Sequence, residues 1–235
     1  MRKISRASRA ILVLEAPWAL DEADAHRSSV LPFIEGVAKL AGDVEVYYAT
    51  FYDKNSFHKA LDHLCKCRFE NAIVYLAAHG FKRKIGDVEI IEALSAIGVQ
   101  SKGCNITGVL LGSCFVGGNT TAMKVCLEGN NLNWSAGYAS TCSWLTGTQI
   151  DCAILAHMIE TGEEDFEDRD LIVGMLGDAI YPFNGDAVIG EDYKEQEVLL
   201  RDSLRFIVQP KGSGHRARDV TDEVIGYAYD LEEAE

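Results

Sequence analysis

His79 and Cys114 are the side chains of this sequence whose type and setting could do covalent chemistry. Each closes an apolar run of strand length: Ala72-Ile73-Val74-Tyr75-Leu76-Ala77-Ala78 stops at His79-Gly80, and Val109-Leu110-Leu111 stops at Gly112-Ser113-Cys114. An imidazole beside a thiol can take its proton and leave the more nucleophilic thiolate, the minimum equipment for attack on an acyl carbon. Gly80 lacks a Cβ, so a carbonyl oxygen can approach the backbone there. The N–H groups of Gly80 and Cys114 could then hold the oxyanion of a tetrahedral intermediate. Most single Cys and His residues are structural, and this pair gains weight because both fall at strand ends.

The elements that must position the pair follow from hydrophobic periodicity. Ile11-Leu12-Val13-Leu14 predicts a buried strand that Pro17 ends. Leu31, Ile34, Val37, Ala38 and Leu40 recur at helical spacing, with Ser28-Ser29 as caps and Gly42 as the stop. Residues 44–51 alternate as a strand, and Asn55-Ser56 caps a helix that buries Phe57, Ala60, Leu61 and Leu64. Three strands alternating with two helices predict a doubly wound, mostly parallel sheet with helices on both faces. The stretch between His79 and Cys114 has room for one crossover, so the two residues share one sheet edge, where open α/β sheets place ligands.

Further on, Ile90, Leu94 and Ile97 predict a short helix closed by Gly98, with a brief strand over 88–91 as the alternative. A helix runs from Gly117-Gly118 through Met123 and Cys126, and a strand spans 132–139. Residues 148–159 read as the clearest helix, with Asp151 in its first turn, where a carboxylate complements the helix dipole. A helix over 171–180 and a strand over 203–208 follow. Residues 1–209 are expected to form one domain. Residues 210–235 read as a linker and acidic tail, with 224–231 as an added edge strand.

A formal charge of -14 disfavours nucleic acid as a partner and favours basic peptides or proteins. Lys82-Arg83-Lys84 and 211–218 are basic exceptions, read as solvated loops. Seven cysteines scattered over helices and strands do not form a disulfide framework, and no apolar run reaches membrane-spanning length, so a cytoplasmic protein with reduced thiols is expected. His58, His63, Cys65 and Cys67 cannot converge on a metal from one helical segment, and 112–118 lacks a phosphate-loop ending. No metal or cofactor is expected.

The two strand-end motifs, Ala78-His79-Gly80 and Gly112-Ser113-Cys114, resemble those of the caspase-like cysteine peptidases of clan CD, and are nearest in flavour to the bacterial CHAT-domain proteases. The resemblance covers residues 10 to 160 and implies a caspase-like fold. It implies His79 as base and Cys114 as nucleophile of a dyad that cuts a protein substrate through an acyl-enzyme. It also implies a cognate target in stress or antiphage defence. The loop after the first strand, Gly112-Ser113 and 142–144 would line the substrate pocket. The sequence lacks the Asp that metacaspases carry before Ser-Cys. A basic P1 residue, the one whose carbonyl is attacked, is the expected preference, with Glu15, Asp21 or Asp24 supplying the charge, Arg27 arguing against it, and Ser143 and Trp144 beside the pocket. Trp144 reads equally well as core. An inactive binding or switch module on the same fold is the rival reading, and a thiol redox protein using Cys126 or Cys142 a third.

Overall fold

The chain begins with alternating strand and helix: β1 (Arg9–Glu15), α1 (Leu31–Ala41), β2 (Val44–Thr50), α2 (Lys54–Leu64) and β3 (Asn71–Ala77). These coordinates are a computed structural model that describes residues 7–18 and 29–229. After His79, three two-residue strands, β4 (Gly80–Phe81), β5 (Lys84–Ile85) and β6 (Val88–Glu89), form a small antiparallel meander. Then come α3 (Ile90–Cys104), β7 (Ile106–Gly112), α4 (Thr120–Leu127), β8 (Trp134–Tyr138), α5 (Trp144–Glu160) and α6 (Arg169–Ile180). The hairpin β9 (Val188–Glu191) and β10 (Glu197–Leu199), the one-turn α7 (Leu200–Ser203), β11 (Leu204–Val208), β12 (Arg218–Asp219) and α8 (Thr221–Tyr229) complete the described chain.

The central sheet has the order β12-β11-β8-β7-β3-β1-β2. Strands β2, β1, β3, β7 and β8 run parallel, and β11 lies antiparallel to β8. Side chains alternate between two cores. Ile11, Val13, Ile73 and Tyr75 pack with Ile34, Ile154 and Leu176 on one face, while Leu12, Leu14, Val74 and Leu76 pack with Leu61, Leu94 and Met123 on the other. Burial on both faces is why β1, β3 and β7 read as unbroken apolar runs.

Several boundaries differ from the sequence reading. Helix α3 continues past Gly98 to Cys104, because burial of Ser101 and Cys104 outweighs the roughly 1 kcal/mol that a helical glycine costs. Helix α2 is capped by Asp53, whose side chain accepts from Ser56 N–H in a capping box. Helix α1 has Val30 at its N-cap and no side-chain cap. Residues 224–229 belong to α8 instead of a strand, since Val224 and Ala228 sit one helical turn apart on its buried side, and 230–231 lie outside the described residues. Among the described residues, no helix is long and apolar enough to cross a membrane.

Candidate active site

Because β2 and β3 flank β1, the winding direction reverses between β1 and β3, and the C-terminal ends of β1, β3, β7 and β8 gather at one edge. His79 follows β3 there. Its Nε2 bonds the backbone carbonyl of Trp18, and its ring meets the Trp18 indole edge-on with centroids 5.3 Å apart. A carbonyl only accepts, so Nε2 carries a proton, which leaves Nδ1 as the nitrogen that can act as base.

Trp18 is held by Glu15. This carboxylate accepts from Trp18 Nε1–H at 2.9 Å, Ser29 Oγ–H at 2.7 Å and Val30 N–H at 2.9 Å, and the residue is 3% exposed. Glu15 is therefore committed to the loop's two ends and does not line the cavity beside Cys114, contrary to the role expected for it. Asp21 and Asp24 lie outside the described residues.

Cys114 follows β7 on a sharp turn. Phe115 adopts φ 66°, its N–H donates to Ser140 O at 2.9 Å, and Val116 N–H reaches back to Cys114 O at 2.8 Å. A left-handed conformation costs a bulky residue about 1 kcal/mol or more, and Phe115 keeps it with its ring stacked on Tyr193 at 4.1 Å. Gly80 lies directly against this turn, since a Cβ there would fall 2.0 Å from Cys114 O and 2.9 Å from Cys114 N. The two strand ends thus touch through backbone. Gly80→Ala is expected to push them apart and to cost at least about 2 kcal/mol, read as a lowered thermal midpoint together with slower alkylation kinetics at Cys114.

A cavity of about 280 Å³ has His79, Cys114, Gly112, Ser113, Ser143 and Trp144 in its lining. Strand β9 fixes the wall after β8, with Thr141 N–H donating to Glu191 O at 2.9 Å and Ser143 N–H to Ile189 O at 3.1 Å. Cys142 turns its carbonyl the other way, 4.0 Å from Cys114 Sγ. Trp144 both lines the cavity and packs edge-on against Phe33 at 5.5 Å, so it serves wall and core together.

The residue that sequence reasoning missed is Asp151. It also lines the cavity, 2% exposed, and accepts hydrogen bonds from Tyr75 Oη–H at 2.6 Å and Tyr138 Oη–H at 2.8 Å. Gly112 is small for this reason: a Cβ there would lie 2.8 Å from Asp151 Oδ2 and 2.5 Å from the Tyr75 ring. Among the described residues, no Lys or Arg is in the lining. Burial pushes the Asp151 carboxyl up to about 7, against the two tyrosine bonds that pull it down. The Cys114 thiol is also raised, chiefly by burial, with backbone contacts to Cys142 and to its own amide offsetting part of this and the Asp151 charge adding to it. Among the described residues, no group of three or more His, Cys, Asp or Glu could hold a metal ion.

A seven-stranded, mostly parallel sheet between helices, with a crevice at the ends of β1, β3, β7 and β8, is a caspase-like α/β fold. In structure the chain is similar to iotapain, a secreted C11 cysteine protease from Bacteroides thetaiotaomicron. The TM-score is 0.52 at 8% sequence identity, over 86% of this chain and 66% of that one. The chain therefore spans 66% of that protein's length, and the likeness carries the fold without extending to the CHAT branch. No family model and no curated protein matches the sequence.

Proposed function

We propose that the chain is a cysteine endopeptidase that cuts protein substrates after Lys or Arg. The observation that carries this reading is the buried carboxylate of Asp151, which has no countercation among the described residues, in a cavity shared with Cys114 and His79. A basic P1 side chain supplies the missing cation, its aliphatic stem running along Trp144. The likeness to a C11 cysteine protease supports peptidase chemistry in general. A single cognate target in bacterial defence or stress follows the CHAT-like motifs alone.

In this mechanism His79 Nδ1 takes the Cys114 Sγ proton, because Nε2–H is already bound to the Trp18 carbonyl. The thiolate attacks the P1 carbonyl carbon, and the N–H groups of Gly80 and Cys114 receive the oxyanion. His79 then returns the proton to the leaving amine, and water hydrolyses the thioester. The Asp151 charge also matters to the nucleophile. Once a P1 cation neutralises it, one of the influences raising the Cys114 thiol is gone.

Intact-protein mass spectrometry with a Lys- or Arg-directed peptidyl acyloxymethyl ketone tests this. One adduct is expected on the wild type and none on Cys114→Ala. On His79→Ala the adduct should form at least about 100-fold more slowly. Labelling by an Asp-directed probe instead would keep the peptidase and remove the basic preference. No labelling by any peptide probe, with Cys114 still open to iodoacetamide, would refute the peptidase reading.

A further inference from the structure

A second cavity begins on the other side of the nucleophile. The Asp151 cavity belongs to the face where Tyr75, Tyr138 and Ile154 pack. The second, about 350 Å³, is lined by Lys82, Arg83, Phe115, Asn119 and Tyr193, next to the opposite core of Ile85, Val88 and Val116. Cys114 and Phe115, adjacent in sequence, each line one of them. Through Arg83, Gly118 and Asn119 the second cavity joins a third of about 470 Å³ along the first turn of α4. Together they make a groove that starts at Phe115, the residue after the nucleophile.

Its walls are aromatic and basic. Tyr193 stacks on Phe115 at 4.1 Å and meets Phe81 edge-on at 6.3 Å, yet Tyr193 and Phe81 remain 58% and 60% exposed. The Lys82 ammonium lies 5.1 Å over the Phe81 ring. Lys82 and Phe115 both hold positive φ, at 55° and 66°, so two non-glycine residues keep unfavourable backbone at this one groove. Asn119 Nδ2–H bonds the Lys82 carbonyl at 2.9 Å and fixes the meander to the start of α4. The chain carries -14 overall, but among the described residues no carboxylate pairs with Lys82 or Arg83. Among the described residues, Glu89 is the one acid in the lining, and the Asp192 carboxylate accepts from Lys194 and Gln196 N–H inside its own turn.

We infer that this groove binds the substrate segment C-terminal to the scissile bond and selects an aromatic residue followed by acidic ones. The inference rests on the endopeptidase reading. With the P1 side chain toward Asp151 and its carbonyl at Cys114, the leaving half passes over Phe115. Phe115, Lys82 and Arg83 share one lining, so an extended chain that passes over Phe115 runs on toward the two cations. An aromatic ring then packs beside Phe81 and Tyr193, and carboxylates meet the unpaired cations.

The test is fluorescence polarisation with Cys114→Ala protein and two C-terminally labelled tetrapeptides, Phe-Asp-Glu-Gly and Phe-Lys-Lys-Gly. The acidic peptide is expected to bind about 10-fold tighter. Lys82→Glu with Arg83→Glu should reverse the order, and Tyr193→Ala should weaken the acidic peptide about 5-fold, with thermal melts confirming that each variant is folded. Equal binding of the two peptides, or a preference that survives the charge reversal, overturns the groove assignment. Acid-selective binding in a protein that no peptide probe labels would sink the peptidase reading and leave the groove standing. Probe labelling with charge-blind binding would sink the groove alone.

Discussion

Replacing Asp151 by Asn is expected to make the protein more stable and to silence it toward basic substrates. The folded state raises this carboxyl from 3.8 to about 7, so between those values the folded protein binds more protons than the unfolded chain. Stability from this group is therefore fully present below about pH 4, falls as pH rises toward 7, and stays low above that. At about 1.4 kcal/mol per pKa unit, the ionised and unpaired carboxylate costs on the order of 4 kcal/mol at pH 8. An amide can still bond Tyr75 and Tyr138, so Asp151→Asn should melt several degrees above wild type at pH 8 and close to it at pH 4. Activity moves the other way. Loss of the carboxylate should lower kcat/KM for a P1 Lys or Arg peptide at least about 100-fold. In the wild type, the same rate should climb through pH 7 as the carboxylate ionises. Iodoacetamide supplies the control: Cys114 should alkylate as fast in the variant or faster, because a charge that raises its thiol is gone. Unchanged cleavage after Lys and Arg in the variant would show that Asp151 does not read P1.

Glu15→Ala is expected to cost about 3–5 kcal/mol, because Trp18 Nε1–H, Ser29 Oγ–H and Val30 N–H would all lose a buried acceptor. The loss should also reach the chemistry, since the Trp18 carbonyl fixes the tautomer of His79. Glu15→Gln separates acceptor from charge. Its carbonyl oxygen can keep Trp18 and Val30 while its amide donates to Ser29 Oγ, so most stability and most turnover should survive. If Glu15 instead recognised a basic P1, the Gln variant would fold well and lose Lys and Arg cleavage. Urea unfolding together with the pH profile of kcat for both variants decides between these outcomes.

The residues easiest to read from the sequence were those whose role is set by their own strand. β3 and β7 are buried on both faces, so their apolar runs and the small residues that end them located His79, Gly80 and Cys114 without tertiary information. Asp151 was hidden by one boundary. Helix α5 starts at Trp144, four residues before the expected start, so Asp151 lies in its second turn on the stripe of Thr148, Leu155 and Met158. An acid on that stripe was the available signal. Its tyrosine partners, however, come from β3 and β8, and no local pattern announces them. Glu15 misled for a similar reason, since its partners lie up to 15 residues away across the loop. The hairpin of β9 and β10 left little trace, because short, partly exposed strands lack the periodicity of a core element.

The antiparallel return of β11 beside β8 bears on how the molecule comes into being. Strands β1, β2, β3 and β7 pair across one or two short crossovers, contacts that close early because little chain entropy opposes them. Trp18, His79 and Cys114 all belong to that part. The wall at Thr141 and Ser143, by contrast, is held by Glu191 and Ile189, some fifty residues downstream, in the segment that leads into β11. A nascent chain would thus acquire its thiol and imidazole well before the wall that fixes a substrate against them. If the proposed peptidase reading holds, such a delay would leave the half-made chain without a complete substrate wall while it is still emerging from the ribosome.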